Sequence, residues 1–190
     1  MFTRGLLFKT VFILIGIAVN QSAAQNPYQT IILSNTNQPL LPGKTVIVKA
    51  IYDVSDGNST LTGIGVRFHF DSRKLRFIKY EHVAGGLVGD PDIKNETHDK
   101  QDNDPNTDTY ILFPWYDLQG NWPNQNLPLE VVHLYFTVTK TAPECTTAIN
   151  AIRSSGAFGY DFETDNASIR IHEKVDLIDA IQILQKLSRM

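Results

Sequence analysis

The chain has 190 residues, 42% of them hydrophobic, with 17 basic and 20 acidic side chains and a formal net charge of −3. That length buries one sizeable core rather than two, and the acidic balance argues against a nucleic-acid partner, whose phosphates need basic surface. The single cysteine, Cys145, excludes a disulfide within the chain and is read as a small residue near a strand start.

Residues 1–24 read as a secretory signal peptide. Arg4 and Lys9 give a positive start, residues 11–19 are an unbroken apolar or glycine run, and Ser22-Ala23-Ala24 offers small residues for cleavage. Cleavage near Ala24 predicts a secreted or surface-located protein of net charge −5, because this leader holds two basic and no acidic residues. Nine apolar residues are too few to span a bilayer, so no membrane span is expected in the mature chain.

Residues 28–34 are a short β-rich run ended by Asn35, Asn37 and Pro39. After the turn Leu41-Pro42-Gly43-Lys44, residues 45–54 set Val46, Val48, Ala50 and Tyr52 against Thr45, Ile47, Lys49 and Ile51. In residues 61–70, Ile64, Val66, Phe68 and Phe70 share one face while Arg67 and His69 share the other, the pattern of a half-buried strand. A corner at residues 71–75 leads to a strand over 75–80, with Leu75, Phe77 and Lys79 set against Arg76, Ile78 and Tyr80. Glycines 85, 86 and 89 then open a long polar connection that lasts to Thr109.

Residues 110–116 resume as a strand whose Pro114 marks an edge position or a bulge, since proline donates nothing to a ladder. In residues 131–139, Val132, Leu134, Phe136 and Val138 alternate against His133, Tyr135 and Thr137. Residues 146–152, 156–162 and 167–171 supply three more short strands. The total is about nine, with no helical period among them, which predicts an all-β, antiparallel β-sandwich. At Val175 the period changes: Asp176 caps a short amphipathic helix over 175–188, with Leu177, Ala180, Ile181, Leu184 and Leu187 on one stripe.

Chemistry-capable side chains crowd between Asp99 and Pro123. Asp102, Asp104, Asn106 and Asp108 recur at every second position, a spacing that turns several oxygens toward one hard cation where the backbone loops, and calcium is the cofactor it points to. An EF-hand loop would hold glycine and an acid where Thr107 and Phe113 stand, so a solvated acidic loop is the alternative. Trp115, Tyr116 and Trp122, rimmed by Asp117, Asn121 and Asn124, form a candidate sugar site in which ring faces stack on a pyranose. Core filling is the other reading for Trp115, and packing under the loop for Trp122.

Catalysis has little support. The histidines at 69, 82, 98, 133 and 172 form neither HExxH nor a close His-Cys pair, and no Gly-x-Ser-x-Gly elbow occurs. His69 and His133 are expected on a solvent face or in cross-strand pairs, and an enzyme is disfavoured.

Residues 52–80, with the corner Phe70-Asp71-Ser72-Arg73-Lys74-Leu75-Arg76-Phe77, resemble the paired strands of cohesin-type modules. The stretches 102–123 and 154–162 are similar to a bacterial subgroup found in secreted, often repetitive surface proteins. The resemblance covers roughly residues 28–171 and implies a jelly-roll β-sandwich related to carbohydrate-binding modules. Residues 175–184 resemble the helix that follows a calcium loop in dockerins, although Ile169 to Lys174 lack the loop's ligands, which makes the tail a degenerate half. The expected domains are therefore a leader (1–24), a cohesin-like sandwich (25–172) and a dockerin-like helix (173–190). The resemblance implies a non-catalytic module that binds an extracellular protein, either dockerin-like or a surface component; the alternative is a carbohydrate-binding module that targets a polysaccharide.

Overall fold

Two-residue alternation gives each strand one apolar row, and two sheets facing one another bury both rows at once. The computed structural model describes residues 25–35, 38–95, 102–173 and 185–188. Their strands are β1 (Tyr28–Asn35), β2 (Thr45–Val54), β3 (Thr60–Leu61), β4 (Gly63–Phe70), β5 (Leu75–Glu81) and β6 (Asp92–Asn95). They continue with β7 (Thr109–Tyr116), β8 (Trp122–Pro123), β9 (Leu129–Val138), β10 (Cys145–Ser155), β11 (Asp161–Asp165) and β12 (Ala167–Ile171). One five-stranded sheet runs β11-β1-β2-β9-β5, the other β12-β10-β4-β7-β6, and β3 pairs separately with β8. This is the all-β sandwich that the alternation predicts. The leader at 1–24, His98 and residues 175–184 of the expected C-terminal helix lie outside the described residues. Residues 185–187 form a helical turn. Among the described residues no helix is long and apolar enough to cross a membrane.

Residues 156–160 of the strand expected over 156–162 form the turn before β11 instead, and the strand reading is corrected in three further places. First, the described residues form twelve strands rather than about nine. The extra β6 sits inside the connection read as purely polar; all four of its residues are exposed, so it shows no alternation, and pairing with β7 holds it in place. Second, one pair is parallel: β11 lies along β1 with Tyr28 opposite Asp161. The chain crosses from the second sheet to the first after β10 and returns as β12, which brings β11 beside β1 in the same direction. Third, the register of β5 shifts between Phe77 and Lys79, so Ile78 bulges outward, 46% exposed. Tyr80 rather than Lys79 then turns inward, edge-on to Phe113 at 5.3 Å.

Pro114 sits where proline is tolerated. Beyond Leu112, β7 has no β6 partner, and the carbonyl of Pro114 accepts the N–H of Val88 at 2.9 Å. Its donor-less nitrogen therefore faces the loop rather than β4.

The inward rows of β2, β4, β7 and β9 are buried throughout, and a file of rings fills one end of the core. Phe113 and Trp115 stack at 5.6 Å, Trp115 and Trp122 at 6.2 Å, and Tyr52 meets Trp122 at 4.7 Å. Among these rings sits the fully buried Gln29. Its Nε2 donates to the Tyr52 hydroxyl (2.8 Å) and to the Gly63 carbonyl (3.1 Å), while its Oε1 accepts the Ala157 N–H (3.0 Å). Burial pushes the Tyr52 phenol far above its ordinary pKa, so it stays a neutral partner. Gln29→Leu would strand these buried groups, and a loss of about 3 kcal/mol is expected in urea unfolding midpoints. A loss below about 1 kcal/mol would mean that the network contributes little.

Candidate functional site

The acidic loop is built from short-range turns. The backbone N–H of Asp104 donates to Asp102 Oδ1 (3.2 Å), and that of Asn106 donates to Asp104 Oδ1 (2.9 Å), side chains capping the backbone two residues on. The loop is then fastened to the outer side of the second sheet. Asn150 Nδ2 donates to Asp102 Oδ2 at 2.9 Å and reaches Asp104 Oδ2 at 3.5 Å, and Thr107 Oγ1 donates to Asp102 Oδ2 at 2.8 Å. His69, expected on a solvent face or in a cross-strand pair, is buried: it lies opposite Asn150 and Tyr110 in the sheet, with the Tyr110 ring 5.2 Å away.

The four candidate calcium ligands each have hydrogen-bond partners within the protein. Both oxygens of Asp108 are taken at the Asp71 corner, accepting the Ser72 N–H and hydroxyl, each at 2.8 Å. Asn106 points back to Asp104. Among the described residues no three histidine, cysteine or acidic groups are placed to hold a metal.

That clamp predicts acid sensitivity. The Asn106 N–H, helped by the Asn106 and Asn150 side chains and opposed by burial, holds the Asp104 carboxyl below its ordinary value. A lowered folded-state pKa gives stability that is present above the unfolded value, near 3.9, and is lost as pH falls through the folded one. Melting midpoints should therefore coincide in calcium and in chelator at neutral pH and fall below about pH 4, with a shallower fall in Asp104→Asn. A higher midpoint in calcium would restore the metal reading.

The aromatic turn divides. Trp115 and Trp122 are 1% and 3% exposed, so neither presents a ring face for stacking. Trp122 is held under the loop by its Nε1–H, which donates to the Gly85 carbonyl at 2.8 Å. A Cβ on Gly86 would lie 2.7 Å from Trp122 Cδ1, which keeps that position bare. Tyr116, 51% exposed, does face solvent. Tyr116, Asp117, Asn121 and the edge of Trp122 line a shallow depression of about 530 Å³ with Gly85, Gly86 and Val88, whereas Trp115 and Asn124 do not. Trp122→Ala should cost about 3–5 kcal/mol of unfolding free energy, while Tyr116→Ala should cost under about 1 kcal/mol. Equal costs would undo this division.

Two surface features escaped the sequence reading. Phe158, at the tip of the turn between β10 and β11, is fully exposed, and Leu118 beside Tyr116 is 82% exposed. A glycine-flanked aromatic between two strands was the available signal for the first. On the outer side of the first sheet, charged groups pair among themselves: Lys49 with Glu130 at 2.8 Å, His133 Nε2 with Glu130 at 2.7 Å, and Lys79 with Glu81 at 2.6 Å. On the outer side of the second sheet Leu112 and Ile152 lie opposite Arg67, and Pro114 lies opposite Gly65.

The fold is cohesin-like. The seventh ScaB type I cohesin of Pseudobacteroides cellulosolvens superposes with a TM-score of 0.54 at 13% identity, over 79% of this chain and 96% of that one. CaCohA2 of Clostridium acetobutylicum gives 0.48 at 15% identity, over 78% and 94% of the two chains. A non-cellulosomal cohesin of the archaeon Archaeoglobus fulgidus gives 0.45 at 14%, over 82% and 97%. The first of these establishes the architecture. Neither a family model nor a curated protein matches the chain.

Proposed function

We propose that this chain is a non-catalytic protein-binding module of cohesin type, exported through the leader at 1–24 and used in extracellular assembly or surface attachment. The observation that supports the reading is the cohesin-like sandwich, which matches a type I cohesin at the level of the fold over most of that chain. The second sheet's outer side adds half-buried Leu112, Pro114 and Ile152, with Leu112 and Ile152 on either side of Arg67, a mixed apolar and basic surface that a protein partner could cover. The partner is an extracellular protein, dockerin-like or a surface component. Residues 25–172 are the binding domain and 173–190 a degenerate dockerin-like tail.

A second reading, a polysaccharide-binding module, draws on the depression beside Tyr116, whose Asp117 and Asn121 would meet sugar hydroxyls. With both tryptophans buried, one exposed ring remains there for stacking, which ranks it below the first reading.

The immobilised chain is expected to capture a protein from the source organism's secreted fraction and to leave a glycan array blank. Glycan binding without a protein partner would reverse that order. Mass spectrometry of the exported protein should find an N-terminus near Gln25, and an intact Met1 outside the cell would contradict the leader.

A further inference from the structure

We infer that the end of the sandwich built around Gly63 is a docking surface for a protein offering an apolar pocket rimmed by basic groups, with Phe158 as the inserted anchor and Tyr116 and Leu118 beside it. The inference rests on the protein-binding reading above and adds the surface and the chemistry of what meets it.

Phe158 stands free while the turn that carries it is braced on both sides. On one side Ala157 is buried and bonded to Gln29. On the other, the Tyr160 hydroxyl donates to Asp56 Oδ2 at 2.8 Å and accepts from Asn58 Nδ2 at 3.0 Å, and Arg153 Nη1 donates to the Tyr160 carbonyl at 2.8 Å. An anchor on a fixed backbone loses only side-chain freedom when it binds, which is why rigid aromatic residues dominate binding energy in small footprints.

The anchor also has neighbours. Gln29 bonds Ala157 and the Gly63 carbonyl with one side-chain amide, and Gly63 lies opposite Tyr116 in the sheet. Phe158 and Tyr116 therefore belong to one end, with Leu118 two residues beyond Tyr116. Gly63 and Gly65 are buried beneath this end, with the Ser154 and Ser155 side chains over Gly65. A Cβ on Gly65 would lie 2.5 Å from the hydroxyls of Ser154 and Ser155, and one on Gly63 would lie 2.2 Å from the Trp115 carbonyl. A single exposed apolar residue is ordinary, but three at one end of a sandwich mark that end out as a contact surface.

Charge selects the occupant. Asp161 follows Tyr160, Asp56 holds its hydroxyl, and Asp117 follows Tyr116, against the single cation Arg153 that bonds the turn. A second copy of this chain would set acid against acid, and an anionic lipid surface would be repelled in the same way. A basic rim around an apolar pocket is attracted.

The test immobilises the full exported chain and three variants, Phe158→Ser, Leu118→Ser and Ile47→Asp, the last on the opposite sheet. The protein captured by the parent from the secreted fraction is purified and titrated against each at two salt concentrations, with sedimentation of the chain alone alongside. Phe158→Ser should weaken Kd at least about tenfold and Leu118→Ser by less, with unchanged melting midpoints because both side chains are exposed. Ile47→Asp should bind as the parent does, and higher salt should weaken the parent's binding. A purified partner that binds Phe158→Ser as well as the parent overturns the docking surface and leaves the protein-binding reading standing. Failure to capture any protein overturns both. Parent self-association that Phe158→Ser abolishes assigns the surface to a second copy and overturns the basic partner.

Discussion

One buried amide sets the geometry of this molecule's most exposed end. Gln29 reaches three elements besides its own strand: Tyr52 on β2, Gly63 on β4 and Ala157 before β11. Burying an amide is costly unless its donors and acceptor are all used, and here they are. Only an amide of this length suits the position, because a carboxylate would lack the donors that Tyr52 and Gly63 accept. The same bonds tie the two sheets together where β10 ends, and so fix where the Phe158 turn stands.

The ring file beside Gln29 explains why exposed chemistry is displaced from the tryptophans. Tyr52, Trp122, Trp115 and Phe113 pack in succession, and the Trp122 indole N–H is satisfied by Gly85. Large rings bury more apolar area per residue than any other side chain, so a sandwich of this size uses them for its core. What faces solvent at that end is the residue after each buried one: Tyr116 after Trp115, and Phe158 after Ala157. Strand alternation and a tight turn produce the same result, a buried foot beside an exposed ring.

At Asn150, acidic groups serve the fold. Asp102 and Asp104 receive that side chain's N–H groups, and Asp108 holds the Ser72 corner. Asp71 acts similarly at 1% exposure: burial alone would raise its pKa, but hydrogen bonds from Arg73 and Lys74 outweigh that and lower it. The loop that is richest in charge is therefore a clamp on the sheet, and the binding reading rests on its less charged surfaces.

Alternation by itself determined the sandwich. Rows such as Val46, Val48, Ala50 and Tyr52 have a single buried side, and residues two apart on a strand must share it. The corner at Asp71 and the edge role of Pro114 were equally local, because turn chemistry and a missing donor act within a few residues. The bulge at Ile78, the unpatterned β6 and the parallel β11 came from pairing with strands distant in sequence. Whether Trp122 stacks on a sugar or fills the core depended on Tyr52, Gly85 and Gly86 arriving from elsewhere in the chain. Asp108 was likewise claimed by Ser72, 36 residues away, so its spacing from Asp102 and Asp104 said nothing about its partner. Local sequence fixes what a side chain is able to do, but burial and hydrogen-bond partners are properties of the closed fold, and they decide what it does.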